Sequence, residues 1–531
     1  MTKRRFVRLE DDKPKPANFV PAHLLSEAAK STAKKCRMSY TQKRETPEQL
    51  QSGEEGAHKA RLVCMDLKVK YEKPKEETYS AVPTAEAFRL VVASTDIEKG
   101  DTLSTNDVQT AFLQSFKWQD SRLVLIVYWD EFTKDWVYEW IDGVIYGMQE
   151  GSYDWKNTLA FRLTHEMGFK EVKNMESIYH HPEKKITIPC HVDDPLIKAR
   201  GAEARDWFHE EFNKLFECKG QQNLVEGKSL DYLSMNITIT KEGDIQVDNK
   251  TKIEGYLEEM GLQDCNPAKE PMRKDLLNII AENKKAGIKA SPEVHAMNMK
   301  WNGELQWLCQ STHPVLATAC GILSTLVAEN WAGVDDAIKH TFRYLQGAKE
   351  LCLVKKMGVR TGLTASSDAD WAGLYKVLGE KRSRTGTVIK YDEMPVGWKS
   401  SWQQCKGTEY DLEADIATSS AEAETYAAAD SAKLAIHLKN ICEEIDIAVS
   451  KPVVIDIDAG AALGFINNTG SVGRMKHIDL RESWVNQMRD RKQVTFRKVP
   501  GTSNPADFFT KIITGPEFKR HQDELMSKIE T

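Results

Sequence analysis

Seven carboxylates in this sequence stand where apolar runs stop or helices open, the places where a fold hands charge to an exposed surface. Asp193 and Asp194 are adjacent, in His191-Val192-Asp193-Asp194, with Ile186-Thr187-Ile188-Pro189-Cys190 before them and Leu196-Ile197 after. Asp107 opens the apolar stretch that holds Val108, Ala111 and Phe112. Asp368 sits in Ser367-Asp368-Ala369-Asp370-Trp371, Glu424 closes Ser419-Ser420-Ala421-Glu422-Ala423-Glu424, Asp458 ends an apolar strand, and Asp507 lies in Asn504-Pro505-Ala506-Asp507. Such groups suit one chemistry in particular. Hard divalent cations take oxygen ligands, and Mg²⁺ keeps waters and substrate phosphates in its shell. A pair of such ions can clamp the attacking and leaving oxygens of a phosphoryl transfer. Each carboxylate alone is more often a turn, a helix cap or a surface charge. Asp194 before Pro195 also fits a plain hairpin. Glu422 and Glu424 lie two positions apart on one predicted helix and face different ways, so only one can be a ligand.

The elements that must position these groups follow from periodicity. Lys59 to Met65, Leu123 to Trp129 and Trp136 to Trp140 read as strands, the last two paired. Pro83 to Ala93 and Ala202 to Leu215 read as helices. Tyr153 to Met167 is amphipathic, with Trp155, Leu159, Phe161 and Leu163 at near-helical spacing. The Asp-Asp pair is expected at the turn of a hairpin, and Tyr232 to Ile239 as one alternating strand. Residues 250 to 300 are charged and helical, punctuated by Pro271 and Pro292, and Leu305 to Gln346 is all-helical. From about 360 the pattern changes to Thr385–Ile389, Val453–Ile457 and Val494–Phe496 as strands, with helices at Ala421 to Leu438 and His477 to Arg491. That alternation predicts an independent α/β domain. Residues 1 to about 57 lack periodicity and read as a basic, disordered segment.

With 531 residues, 41% of them apolar and 29% charged, the composition is that of a globular chain of several domains. No apolar run approaches the roughly 18 residues of a membrane span, so no membrane partner is expected. Met1-Thr2-Lys3-Arg4-Arg5 is basic without a following apolar run, which argues against a secretory signal. Ten scattered cysteines without a Cys-x-x-Cys pair point to reduced thiols and away from structural zinc. The net charge of -6 runs against the basic footprint of a nucleic-acid binder. The first 75 residues differ, with 18 Lys and Arg against 10 Asp and Glu, and could touch phosphates.

Taken in order, these motifs resemble the reverse transcriptase and RNase H part of the Pol polyprotein of copia-type LTR retrotransposons, over roughly residues 58 to 513. The matching runs are Lys59-Ala60-Arg61-Leu62-Val63, Asp107 to Leu113, Tyr146-Gly147-Met148 with Trp155, His191 to Asp194, Phe342 to Gly347, Ser367 to Gly373, the Ser-Ser-x-Glu-Ala-Glu run, Lys476-His477-Ile478-Asp479 and Ala506 to Lys511. The resemblance implies a right-handed α+β polymerase fold followed by an α/β RNase H-like domain. Fingers and palm would span 58–250, a helical thumb and connection 251–350, the RNase H-like domain 360–513 and a tail 514–531. It implies RNA-directed DNA polymerase and RNase H endonuclease activity with Mg²⁺ or Mn²⁺. Asp107, Asp193 and Asp194 would hold the polymerase metals, Val108 would lend a carbonyl, Phe112 would gate against a ribose 2′-OH, and Arg61 and Gln149 would meet the nucleotide. Asp368, Glu424, Asp458 and Asp507 would form the RNase H site. His477 and Asp479 are family markers best read as structural, opening a helix. The implied partners are an RNA template, a DNA primer, RNA–DNA hybrid, dNTPs and other Pol or Gag products. The implied compartment is a cytoplasmic particle, with the nucleus as an alternative.

The departures define a second reading. His191 replaces the family tyrosine, and Pro195 removes a strand donor beside the turn. Glu150 stands where the family places a glutamine, unless Gln149 shifts into that place. The strand expected before Lys59 is not recognisable, and an additional stretch runs from about Trp402 to Ile416. No protease, zinc-knuckle or integrase motif occurs, so the chain reads as a fragment or a decayed copy. On this alternative it is an impaired remnant that only binds nucleic acid.

Overall fold

The computed structural model describes residues 22–42, 58–66, 78–118, 123–131, 133–403, 417, 419–467 and 479–530, with three two-residue strands ahead of them. Its centre is a six-stranded antiparallel sheet in the order Cys218–Asn223, Asp101–Val108, Asp194–Arg200, Ile186–His191, Ile178–His181, Lys170–Glu171. The strands obey the period-two rule. Leu103, Ile178 and Leu196 face the helix Ala85–Ala93 and the large core beyond it, whereas Tyr179, Ile188 and Ile197 face the opposite side. That opposite side is covered by Gly151–Phe161 and Ala202–Leu215. Phe208, Phe212 and Phe216, spaced by four, form one helical stripe and stack edge and face against each other and Trp155. A single turn of wider helix, Arg162–Glu166, ends the first of these helices.

A second sheet runs Phe19–Val20, Asp135–Ile141, Val124–Asp130, Lys34–Gln42, His58–Cys64. It corrects the reading of the N-terminal segment. Glu27–Thr32 is a helix capped by the Ser26 side chain, and Lys34–Gln42 is a strand paired along its length with His58–Cys64. The missing strand before Lys59 is therefore present. It alternates Cys36, Met38 and Tyr40 with Lys35, Arg37 and Ser39, and so many charges hid the alternation.

The expected boundaries at 250 and 514 are crossed by a third sheet. Its order is Leu230–Tyr232, Met235–Ile239, Ile245–Asp248, Leu351–Lys355, Ser527–Lys528. The stretch read as one strand, Tyr232 to Ile239, is instead the end of a hairpin. Leu233 and Ser234, both at positive φ, turn it between two strands. The last residues are packed as well as paired: Gly515–Leu525 is a helix that buries Phe518 and Leu525.

The C-terminal sheet has the order Met394–Trp402, Arg384–Tyr391, Leu363–Asp370, Val453–Ile457, Val494–Lys498, with the last three parallel. The 25-residue helix Ser420–Glu444 lies across it, capped by Ser419, and its buried Ala423, Ala427, Ala428, Ala432 and Ala435 allow close approach. This unit is not independent of the rest. Arg89, fully buried on the helix Ala85–Ala93, donates from Nε to the Val396 carbonyl at 2.9 Å and lies 3.8 Å over the Trp398 ring. One apolar core runs from Ala87 to Met526. The residues from Gln404 to Ile416, which contain most of the additional stretch, and His477 lie outside the described residues, and a helix begins at Asp479.

Candidate active site

The Asp-Asp pair sits at a two-residue hairpin turn: His191 pairs with Asp194, leaving Val192 and Asp193 as the corner. Val192 has φ +59, a left-handed conformation that costs a β-branched residue on the order of 1–3 kcal/mol. Neighbouring groups hold the strained corner. The Trp155 indole donates from Nε1 to the Val192 carbonyl at 2.7 Å, and the Cys190 thiol reaches the same oxygen at 3.5 Å. Two residues further on, the Tyr232 hydroxyl donates to the Asp194 carbonyl at 3.2 Å. Tyr232 is itself stacked on Phe88, 5.0 Å between ring centres.

Pro195 is absorbed by the register. In an antiparallel hairpin hydrogen-bonded and non-hydrogen-bonded pairs alternate. His191 and Asp194 close the turn, so Cys190 and Pro195 form a non-bonded pair, and the Cys190 amide donates outward to the Ser177 carbonyl at 2.9 Å. The lost proline donor therefore points toward the Asp101–Val108 strand, where pairing starts only at Leu196.

Asp107 lies on that neighbouring strand, exposed, one residue before its buried end at Val108. Asp107 and Asp193 lie near enough to Asp194 for their charges to act on its carboxyl. Partial burial, then the Asp193 charge, then the Asp107 charge push the Asp194 carboxyl up to about 6. Two carboxylate charges acting on a third, partly buried one make an oxygen-rich site where a hard cation would relieve the cost of ionising Asp194.

A wall of side chains adjoins them. Tyr146 feels both Asp193 and Asp107. Its ring is 5.2 Å from Phe112, and the Arg61 guanidinium lies over it at 5.1 Å. The Arg61 Nε is buried without a hydrogen-bond partner among the described residues. Phe112 is half-buried and packed against Gly151, where a Cβ would come 3.4 Å from its ring. Val108 is buried, so only its backbone can serve the site. The backbone amide of Gln149 donates to Asp66 at 3.4 Å, and Glu150 is buried at the start of the Trp155 helix.

Far along the sequence a second group assembles. Asp368, Glu424 and Asp458 each place a carboxylate oxygen within 4.8 Å of the others. They come from the middle strand of the C-terminal sheet, the long helix and the end of the Val453–Ile457 strand. Burial, then the Asp368 and Asp458 charges, push Glu424 up to about 9, and burial raises Asp368 to about 6. Glu424 Oε2 is buried and has no hydrogen-bond partner among the described residues. Glu422 faces elsewhere and accepts from the Tyr426 hydroxyl at 2.7 Å. Asp507 falls outside this trio: it pairs with Lys511, and it groups with Glu517 and His521. Its segment nonetheless reaches the trio through Thr510, whose hydroxyl donates to Asp368 Oδ2 at 2.6 Å. Gly386, directly opposite Asp368 in the sheet, makes that approach feasible: a Cβ there would lie 2.5 Å from the Ala506 carbonyl oxygen.

Trp155 and Thr510 stand in the motifs that carry the resemblance, but nothing in spacing reveals their hydrogen bonds. Tyr232 carried no signal at all.

Residues 25–274 match the family described as reverse transcriptase (RNA-dependent DNA polymerase). Over 479 residues the chain is 24% identical to the retrovirus-related Pol polyprotein from transposon TNT 1-94 of Nicotiana tabacum, covering 87% of this chain and 33% of that protein. Over 495 residues it is 23% identical to the Pol polyprotein from transposon RE1 of Arabidopsis thaliana, covering 92% of this chain and 31% of that protein. Along most of its length the chain is similar to copia-type retrotransposon Pol polyproteins. It spans about a third of the length of these two relatives. A foamy viral protease–reverse transcriptase solved with double-stranded DNA is 12% identical, covers 88% of this chain and 65% of that one, and superposes with a TM-score of 0.25, too slight a likeness to carry an argument. Within the chain, the family match takes in Asp107, Asp193 and Asp194 and stops before the C-terminal carboxylates.

Proposed function

We propose that this chain is an RNA-directed DNA polymerase whose reacting centre is Asp107, Asp193 and Asp194. The observation that carries the reading is the convergence of Asp107 and Asp193 on Asp194, on adjacent strands of a sheet inside the reverse transcriptase match. The donor set is all carboxylate oxygen, which fits Mg²⁺ or Mn²⁺ and not a soft metal. When bound, such ions polarise phosphate oxygens and raise the nucleophilicity of a primer hydroxyl. The chain's own residues do the rest. The buried Trp155 helix and Tyr232 hold the strained corner so that Asp193 and Asp194 are fixed before substrate arrives. Arg61, whose planar fork suits phosphate oxygens, stands over Tyr146 at the edge of the same surface. Phe112 and Tyr146 form the apolar floor against which a nucleotide sugar would rest.

The C-terminal unit is, on this reading, an RNase H-like domain that hydrolyses RNA in RNA–DNA hybrids at Asp368, Glu424 and Asp458. Asp507, neutralised by Lys511, flanks that centre. The orphaned Glu424 oxygen in a buried all-carboxylate cluster is the feature a cation would satisfy. The right-hand assignment follows: fingers in the Lys34–Gln42 sheet, palm in the Asp107 sheet, and thumb and connection in the helices from Lys250 to Ala348. Template, primer, hybrid and dNTPs are the partners that such a pair of centres requires. The binding-only alternative rests on His191, Pro195 and Glu150. The position of Pro195, where it breaks no sheet pairing, weighs for the catalytic reading.

Primer extension on an RNA template with Mg²⁺ tests the proposal. Wild type should incorporate dNTPs and Asp193→Asn should not. Equal incorporation by the two would remove the polymerase assignment.

A further inference from the structure

Cys36 and Cys64 occupy facing positions on the antiparallel strands Lys34–Gln42 and His58–Cys64. The flanking bonds define the kind of pair. The Met65 amide donates to the Lys35 carbonyl at 2.8 Å, so Lys35 and Met65 form the hydrogen-bonded pair, and Cys36 and Cys64 the non-bonded one next to it. The Cys64 amide accordingly points the other way, donating to the Tyr146 carbonyl at 2.7 Å. Non-bonded pairs have the shorter Cα separation, about 4.5 Å, inside the roughly 4.4–6.8 Å range that a disulfide spans. Both side chains are buried on the same face of the sheet, in one small apolar cluster with Ile126, Ile141, Val144 and Met148. A hydrogen bond from Cys36, and then the nearby Lys34 ammonium, lower the Cys64 thiol below its ordinary range, which favours thiolate there.

From this geometry we infer that Cys36 and Cys64 are a modification site, closing a cross-strand disulfide when the chain meets a peroxide. The Cys64 thiolate would attack one peroxide oxygen, breaking the O–O bond, releasing hydroxide and leaving Cys64 as a sulfenic acid. The Cys36 thiol would then attack that sulfur, forming the S–S bond and expelling water as its proton passes to the leaving hydroxyl. Two thiols are oxidised and one peroxide is reduced.

The bond would fasten the outermost strand of its sheet, the one that carries Arg61, to its inner neighbour. It would also brace the Tyr146–Gly147 turn, which is pressed onto this strand so closely that a Cβ on Gly147 would lie 2.1 Å from the Cys64 carbonyl oxygen. Arg61 and Tyr146 are two sides of the wall beside Asp107 and Asp193, so the oxidised chain would present that wall in one fixed form. This consequence rests on the polymerase reading; the disulfide itself does not.

The test treats the full chain with hydrogen peroxide, alkylates the remaining thiols, digests without reductant and follows both peptides by mass spectrometry. The expected result is joint loss of alkylated Cys36 and Cys64, their appearance as one linked species, and recovery with dithiothreitol. The thermal unfolding midpoint should rise on oxidation and fall back on reduction. Cys36→Ala and Cys64→Ala should each lack the linked species and the midpoint shift. Because either variant could destabilise the fold, wild-type peptide mapping stands as a separate readout. If both cysteines stay alkylatable, or either links to a different cysteine, the inference is wrong whatever the activity. If the linked species forms in a chain that fails to extend a primer, the disulfide stands and the polymerase reading falls.

Discussion

The two carboxylate groups of this chain are built in opposite ways. Asp193 and Asp194 come from a single hairpin corner, with Asp107 on the next strand, and Asp107 stands exposed. Asp368, Glu424 and Asp458 come from a strand, a helix and a strand end, drawn together by topology, and Asp368 is 2% exposed. The price of charge differs accordingly. Asp194 is raised to about 6, whereas Glu424 is raised to about 9 because burial adds to the Asp368 and Asp458 charges. An open site on a strained corner depends on the few groups that hold the corner. In a buried site assembled from distant elements, burial itself limits the charge the cluster can carry.

The largest predicted effect separates the two groups by function. Asp194→Asn should lower primer extension roughly 100- to 1,000-fold, the scale of several kcal/mol of lost transition-state stabilisation, while leaving hybrid cleavage near wild type. Asp458→Asn should do the reverse, read on a labelled RNA–DNA hybrid. Loss of both activities in either variant would mean that the two centres are one functional unit.

Next in size is the stability cost of the buried group. A carboxyl whose folded pKa is raised binds more protons folded than unfolded between its two pKa values, so stability falls as pH rises through that window. The window runs from about 4.5 to about 9 for Glu424 and from about 3.8 to about 6 for Asp194. In chelator at neutral pH, Glu424→Gln should therefore raise the melting temperature by several degrees, at roughly 2–4 °C per kcal/mol, and Asp194→Asn by less. Added Mg²⁺ should stabilise wild type more than the Glu424 variant. An unchanged melting temperature in Glu424→Gln would show that this carboxyl is not held at the cost described.

The corner itself offers a subtler test. Trp155→Phe keeps the packing against Phe216 but removes the indole donor to the Val192 carbonyl. A lost hydrogen bond of about 1 kcal/mol on the corner should reduce extension about fivefold to tenfold, with hybrid cleavage untouched. Equal loss of both activities would point to general destabilisation instead.

A further effect, felt in stability and not in either activity, concerns two buried imidazoles outside both groups. His209 contacts Ser104 at 2.9 Å, and burial followed by the Arg205 charge lowers it to about 4; burial alone carries His313 to a similar value. A base with a lowered folded pKa stabilises the fold fully above its unfolded value of about 6.5 and loses that contribution as pH falls toward 4. Denaturant melts should therefore be flat in this term above pH 6.5 and fall by about 1–3 kcal/mol for each histidine by pH 4. His209→Gln should flatten part of that slope.

Local order was the legible part of the chain. The Asp-Asp hairpin showed because apolar runs flank it, and the helix Ala202–Leu215 showed because its phenylalanines repeat at four. What depends on contact across the sequence did not show. The Lys34–Gln42 strand reads as polar because Lys34, Lys35 and Arg37 mask its alternation, and its pairing partner, His58–Cys64, lies beyond a long stretch of chain. The Leu233-Ser234 turn carries none of the Gly, Asn or Asp that usually marks positive φ, so one strand was read where there are two. Family order groups Asp368, Glu424, Asp458 and Asp507; the structure gathers the first three, while Asp507 stands beside them paired with Lys511, a contact that no motif encodes. The independent C-terminal domain failed as an expectation because Arg89 and the apolar core tie it to the helices before it.

The central claim is that Asp107, Asp193 and Asp194 form one catalytic unit. The most direct measurement is single-nucleotide incorporation on a primed RNA template, comparing wild type, Asp107→Asn, Asp193→Asn and the double variant. If the three carboxylates act together, each single variant should lose nearly all incorporation and the double should lose little more. Independent, multiplying losses, or a single variant that incorporates like wild type, would contradict it.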